Sequence, residues 1–507
     1  MKFPRSSGIL LHISSLPGGH GIGDLGPSAH QFADFLAASG MKIWQVLPVG
    51  PTGYGDSPYQ LFSAFAGNPL FIDLGGLRKA GLLSNDDLNQ APAWAIDRVD
   101  YSAVIEFKMN NLRLAADRFA NDTQSSLAGE FEIFCATESS WLNDYALFMA
   151  IKEAHQGVAW SSWPRDIRDR ETSALQQWSS RLSQEVKAQK FYQFIFFQQW
   201  EDLKAHCSSV GVRMMGDLPI YVAHDSSDVW AHREFFHLDP AGRPTVVAGV
   251  PPDYFSATGQ LWGNPIYRWD VLAKSDYEWW IERFRRALKL FDMFRVDHFR
   301  GFEAYWEVPG DADTAAGGRW VRAPGGELFR TLQQHLGDLP VVAENLGVIT
   351  PEVEAIRAEF GFPGMSLLQF AFGNDPQGPS FRPHNYVREL VAYTGSHDND
   401  TTEGWWNSTV SVDSTRTAED IRKEREFTRA YLGFWDEPVN WVFIRAVMAS
   451  VADTAIIPLQ DVLGLGSEAR MNLPGTKSGN WSWRYAPDSL TSKHRDCLVA
   501  MVSAYDR

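Results

Sequence analysis

Eight short apolar runs recur along this chain, and each stops abruptly at polar or glycine-rich sequence. Gly8–Ile13 runs into Ser14-Ser15-Leu16-Pro17-Gly18-Gly19, and Lys42–Leu47 into Pro48 and a long loop. Val212–Gly216 ends at Asp217, Phe294–Val296 at Asp297, and Val341–Ala343 at Glu344-Asn345. Gly364–Phe370 is the sixth run, Leu390–Thr394 leads to His397-Asp398, and Ile456–Leu459 ends at Gln460-Asp461. Near-continuous apolar strands separated by helical patterns argue for a parallel sheet covered on both faces. Eight such units with functional side chains at the strand ends predict an α/β fold, a (β/α)8 TIM barrel with helical and loop insertions. Residues 1–507 read as one catalytic domain, with a mostly helical insertion over 77–200 and a lid-bearing insertion over 225–275. Among the helices between the strands, Ser275-Asp276-Tyr277-Glu278 reads as a capping box. It opens a helix whose Trp280, Ile281, Phe284 and Leu288 fall on one face. Phe191–Trp200 is apolar nearly all round, so a buried helix is expected just before the Val212 run.

Five of the eight runs lead into an Asp or Glu, and that is where chemistry is expected. In the stretch 294–302, Arg295 and Asp297 are two apart on a strand and share a face. A guanidinium beside Asp297 is expected to keep it ionised, as suits a nucleophile. Alone, the pair would read better as a structural strand-end contact. Glu344 ends the next run, and neighbouring strands lie about 4.8 Å apart, close to the roughly 5–5.5 Å between carboxylates of a retaining glycosidase. Facing Asp297, Glu344 is expected to have a raised pKa, as a general acid requires. The 393–402 loop packs His397, Asp398 and several polar residues together. It reads as a third acid with a histidine on sugar hydroxyls, as a metal site, or as a loop held by its own Asn, Asp and Thr side chains. Two aromatic, glycine-bearing loops, 53–60 and 254–265, would overhang the same rim and act as a lid, or be ordinary turns with aromatics packed inward.

Composition narrows the partners. A net charge of −16 argues against nucleic acid or an anionic membrane. Twenty Trp and 13% aromatic residues suit a cleft that stacks on the apolar face of a pyranose, although core packing must account for most of them. The three cysteines, Cys135, Cys207 and Cys497, are far apart and form no CxxC pair, so neither a disulfide framework nor a thiolate zinc site is indicated. Residues 1–8 lack the apolar core of a secretory signal, and no apolar run is long enough to cross a membrane. A cytoplasmic protein, monomeric or weakly self-associating, is expected, with no metal and no cofactor.

Several stretches together carry a family resemblance. They are Ser7–His12, Gly53–Gln60, Gly216–Val222, Tyr254–Pro265, Phe294–Phe302, Ala343–Gly347, Gly395–Thr401 and Asn472–Thr476. The chain closely resembles the amylomaltases, the bacterial 4-α-glucanotransferases or disproportionating enzymes, over essentially its whole length. The resemblance implies a barrel related to the α-amylases with no C-terminal β-domain, in a compact form without a long N-terminal extension. It implies Asp297 as nucleophile, Glu344 as acid/base and Asp398 as transition-state stabiliser. Arg295, His397 and Asp217 would hold the donor glucose, Tyr59, Gln260 and Trp262 would line the cleft, and Ser57, Asp375 and Asn472 would add contacts. The implied substrates are maltooligosaccharides and α-1,4-glucans, exchanged by double displacement. Alternatives are an amylase-like retaining hydrolase on the same framework and a non-catalytic glucan-binding protein.

Overall fold

A computed structural model describes residues 3–122, 126–252, 258–409, 417–476 and 478–507. All eight apolar runs form strands: Ser6–Leu10, Ile43–Gln45, Arg213–Leu218, Met293–Val296, Val341–Ala343, Gly364–Leu367, Leu390–Tyr393 and Thr454–Pro458. They pair in parallel, in chain order. The first strand also pairs with the last, Ser6 to Leu10 against Thr454 to Pro458. Between the fifth and sixth, the Ala343 N–H donates to the Pro363 carbonyl at 2.9 Å and brings the ring to near closure. Ile9, Ile43, Val296, Ile456 and Ile457 have no exposed surface, as expected of strands buried on both faces. Polar groups inside the barrel find partners, for example the Tyr393 hydroxyl donating to Gln45 Oε1 at 2.9 Å. Gly216 is required by close packing, because a Cβ there would stand 2.2 Å from the ring of Phe291.

The expected helix before the fourth strand spans Glu278–Leu290 and buries Trp280, Ile281 and Phe284, with Leu288 partly buried. Its capping box does not form. Ser275 ends the preceding helix, Trp269–Lys274, and its hydroxyl donates back to the Leu272 carbonyl at 3.0 Å. Tyr277 then turns left-handed (φ 56°) to bury its ring at the start of the next helix. The 27-residue helix Ser183–Ser209 buries Phe191, Tyr192, Phe194, Ile195, Phe196, Phe197 and Trp200, so over 191–200 it is buried nearly all round, as the sequence suggested. It follows a series of helices, among them Tyr101–Asn121, Ala128–Thr137 and Ser139–Ala154, between the second and third barrel strands. Many tryptophans pack the core: Trp44, Trp160, Trp200, Trp230 and Trp280 are fully buried.

A second sheet was not expected. Gln260–Pro265, Val246–Val250, Ala304–Pro309 and Arg319–Arg322 pair antiparallel in that order. Gln260–Pro265, read from sequence as part of a loop, is therefore a strand, and Tyr254 to Ala257 lie outside the described residues. The Gly and Pro in this segment hide its alternation, in which Gln260 and Trp262 are half-buried while Leu261 and Gly263 face solvent. Among the described residues no helix is long and apolar enough to cross a membrane.

Candidate active site

The C-terminal rim gathers the acids. Register sets Asp217, on the third strand, opposite Arg295 on the fourth. Arg295 is 5% exposed; its Nε donates to Asp217 Oδ2 at 3.0 Å, and its Nη2 makes an ion pair with Asp297 Oδ1. The Tyr59 hydroxyl, from the loop after the second strand, donates to the same Asp217 oxygen at 2.8 Å and lies 3.4 Å from Arg295 Nη2. One planar guanidinium thus spans two carboxylates and fixes their separation. Burial acts to lower the Arg295 pKa, but Asp217 and Asp297 raise it well above its ordinary value. For Asp217, burial raises the carboxyl to about 7, with Arg295 and the Tyr59 hydroxyl pulling it down and Asp297 pushing it up.

Val296 pairs with Ala343, so Asp297 and Glu344 are the next residues on adjacent parallel strands. The Glu344 N–H donates to the Val296 carbonyl at 3.1 Å. Its side chain is held on both oxygens, Oε2 by the His298 N–H at 2.8 Å and Oε1 by the Leu346 N–H at 2.9 Å. His298 is left-handed (φ 48°), the turn that presents its N–H to Glu344. Burial pushes the Glu344 pKa up to about 8, and the negative Asp297 adds to it, against Arg295 and the two backbone donors. The direction matches the sequence expectation; the larger cause is burial rather than Asp297.

The 394–402 segment brings the third acid to the same rim. Asp398 is half-exposed, and Asn472 Nδ2 donates to its Oδ1 at 2.7 Å. His397 Nε2 lies 3.4 Å from that oxygen, and its ring stacks on Tyr59 with centroids 5.1 Å apart. Burial lowers the His397 pKa, which favours the neutral ring. Arg470 Nη2 donates to the Asp398 carbonyl at 2.6 Å. Tyr59 therefore bridges the Asp217–Arg295–Asp297 group to the His397–Asp398–Asn472 group.

The remaining sequence candidates fall at different distances from this core. Ser57 accepts the Tyr59 N–H at 3.2 Å and so shapes the loop that delivers Tyr59. Gln260 Oε1 accepts from Trp262 Nε1 at 3.2 Å, and the Trp262 ring meets His298 edge-on with centroids 4.8 Å apart. Asp375 accepts the Gln377 N–H at 2.8 Å within its own turn, and among the described residues no hydrogen bond joins it to the cluster. Trp481 was not anticipated, yet its ring lies 5.9 Å from both Tyr59 and His397. No periodicity marks it, and its only sequence signal is its position nine residues after Asn472. Arg470, two residues before Asn472, was missed in the same way. Among the described residues no group of three or more His, Cys, Asp or Glu is arranged to hold a metal ion.

Comparison with known proteins identifies the family. The family model described as 4-alpha-glucanotransferase matches residues 11–491. A 4-alpha-glucanotransferase from Thermus thermophilus is 51% identical over the whole of both chains. One from Synechocystis sp. is 52% identical over 99% of this chain and 98% of its own. Among solved structures, the amylomaltase from Streptococcus agalactiae in complex with acarbose superposes with a TM-score of 0.93 at 40% identity, covering 99% of each chain. The chain belongs to the 4-alpha-glucanotransferase family.

Proposed function

We propose that this protein is a 4-α-glucanotransferase that moves α-1,4-glucan segments from a donor to a maltooligosaccharide or glucose acceptor by retaining double displacement. The observation that carries the reading is the pair Asp297 and Glu344, in register on adjacent strands but in opposite surroundings. Asp297 is ion-paired with Arg295, whereas Glu344, held by backbone N–H groups and not by a guanidinium, is pushed up to about 8 by desolvation. At neutral pH Glu344 holds a proton and gives it to the glycosidic oxygen as the C1–O bond breaks. The Asp297 carboxylate forms the new bond to C1, making a covalent glycosyl-enzyme. Asp398 steadies the ring as positive charge builds at C1. An acceptor hydroxyl then attacks C1 while Glu344 takes its proton, and Asp297 leaves as carboxylate. Arg295, Asp217 and His397 bind hydroxyls of the donor glucose, with Tyr59, Gln260 and Trp262 along the cleft and Ser57, Asp375 and Asn472 further out. Asp217 Oδ1, buried and without a hydrogen-bond partner among the described residues, supports that role, since a sugar hydroxyl would satisfy it. The Streptococcus agalactiae amylomaltase is in complex with acarbose, which supports a saccharide ligand for this chain.

Transfer beats hydrolysis only if acceptor sugar outcompetes water at the intermediate, by positioning and by solvent exclusion under the Trp262 segment. In this reading residues 1–507 are one catalytic unit, 77–200 and 225–275 are its insertions, and the enzyme works in the cytoplasm as a monomer or weak oligomer without cofactor. Incubation with maltotriose is the test. Transfer yields glucose and longer oligomers at constant total reducing ends; a rise in reducing ends would instead make the protein a hydrolase.

A further inference from the structure

One acidic side chain at the catalytic rim has no role in the chemistry above. Asp461 follows the last barrel strand, in the short helix Leu459–Leu463, and is 1% exposed. Its carboxylate lies between the two ends of the segment that carries His397 and Asp398. At one end the Thr394 hydroxyl donates to Oδ2. At the other, the Thr402 N–H donates to Oδ1 at 2.7 Å and the Thr402 hydroxyl to Oδ2 at 2.8 Å. Thr394 and Thr402 are themselves fully buried. The Asp461 carbonyl accepts from Asn440 Nδ2 at 2.8 Å, which anchors it to the helix Val439–Ala449. Among the described residues no cation pairs with Asp461, so neutral donors alone hold a buried carboxylate. The cost of desolvating the carboxylate is offset by the three buried donors it satisfies, two of them on Thr402 and one on Thr394.

What the carboxylate does is close a loop at its base. Above the clamp, Gln369 Nε2 donates to the Asp400 carbonyl at 2.9 Å and the Ser467 hydroxyl to Asp400 Oδ2 at 2.6 Å, so the far side of the loop is tied separately. Asn472 and Arg470 then hold Asp398 by its side chain and its carbonyl. We propose that Asp461 is a positioning residue for glucan transfer: by tying Thr394 to Thr402 it sets where Asp398 stands relative to Asp297 and Glu344. The inference rests on the reading of Asp398 as transition-state stabiliser. A stabiliser displaced by about 1 Å costs up to about 100-fold in rate with little effect on ground-state binding.

The test compares Asp461→Asn, Asp461→Ala and Asp398→Asn in the full chain, by kcat and KM for maltotriose disproportionation and by thermal melting. Asn is isosteric and keeps one acceptor oxygen, so Asp461→Asn is expected to lower kcat about tenfold, and Asp461→Ala about 100-fold, with KM within about twofold of wild type. Should the alanine variant not fold, the asparagine variant decides. Unchanged kcat per folded molecule with only a lower melting temperature, or a change confined to KM, overturns the inference. If Asp461→Asn keeps full kcat while Asp398→Asn is inactive, the positioning role alone fails. If Asp398→Asn is itself fully active, the assignment of Asp398 fails and takes this inference with it.

Discussion

Replacing Glu344 by Gln separates the electrostatics of the site from its chemistry. The carboxyl titrates near 4.5 in the unfolded chain and at about 8 in the fold, so the folded state holds its proton more tightly. At roughly 1.4 kcal/mol per pH unit that difference has a ceiling of ~5 kcal/mol. Glu344 remains partly exposed to the cleft, so water screens part of it, and about 2 kcal/mol is the expected size. The sign follows from proton binding. Below 4.5 both states are protonated and the group costs nothing. As pH rises towards 8 the unfolded chain releases its proton while the folded one keeps it, and stability falls. Gln cannot ionise, so the variant lacks this loss. Thermal melts of both proteins should therefore show no titration-linked difference at about pH 3.5 and a gain for Glu344→Gln at about pH 9, close to 2 °C for a chain of this length. The same variant should lose at least about 100-fold in transfer rate, because it has no proton to give. In the wild type, kcat/KM for the donor should fall above pH 8 or so as the acid form is lost. A stability difference that does not change with pH, or a wild-type rate undiminished well above pH 8, refutes the claim that the site keeps Glu344 protonated.

Three further variants probe the connections between the acids. Arg295→Lys puts a point charge where a planar fork spans Asp217 and Asp297, so kcat should fall about 100-fold or more; retention of activity in steady-state assays contradicts the bridging role. Tyr59→Phe deletes the hydroxyl that donates to Asp217 and should cost about 1–2 kcal/mol in kcat/KM, close to tenfold, with little change in folding. Asn472→Ala frees Asp398 Oδ1 and should lower kcat/KM for maltotriose by about tenfold, whereas an unchanged value would mean that Asp398 is held well enough by His397 and its own backbone.

The barrel was legible in the sequence because its strands are buried on both faces, which leaves compact apolar runs with sharp ends. The acids were legible for the same reason: each follows a run, and register carries Asp297 and Glu344 to the same place on adjacent strands. The second sheet was not legible. Two of its strands, Gln260–Pro265 and Arg319–Arg322, are largely outside the core, and the sheet carries Gly263, Pro265 and Pro309, so composition argues for loop while pairing with neighbouring strands decides for strand. The Ser275–Glu278 capping box failed through competition, since the end of the preceding helix uses Ser275 first. Trp481 reaches the site only through long-range packing, and nothing local in the sequence records it. Burial of Glu344, the main cause of its raised pKa, depends in the same way on the assembled rim.

The most direct test is to trap the intermediate. Glu344→Gln incubated with an α-glucosyl fluoride can form the glycosyl-enzyme, because fluoride leaves without an acid, but it lacks the base that would release it. Peptide mass spectrometry should then find one hexosyl unit attached at Asp297, in the peptide spanning residues 294–302. A hexosyl unit on any other side chain, or none while the fluoride is consumed, contradicts the assignment of Asp297 as nucleophile.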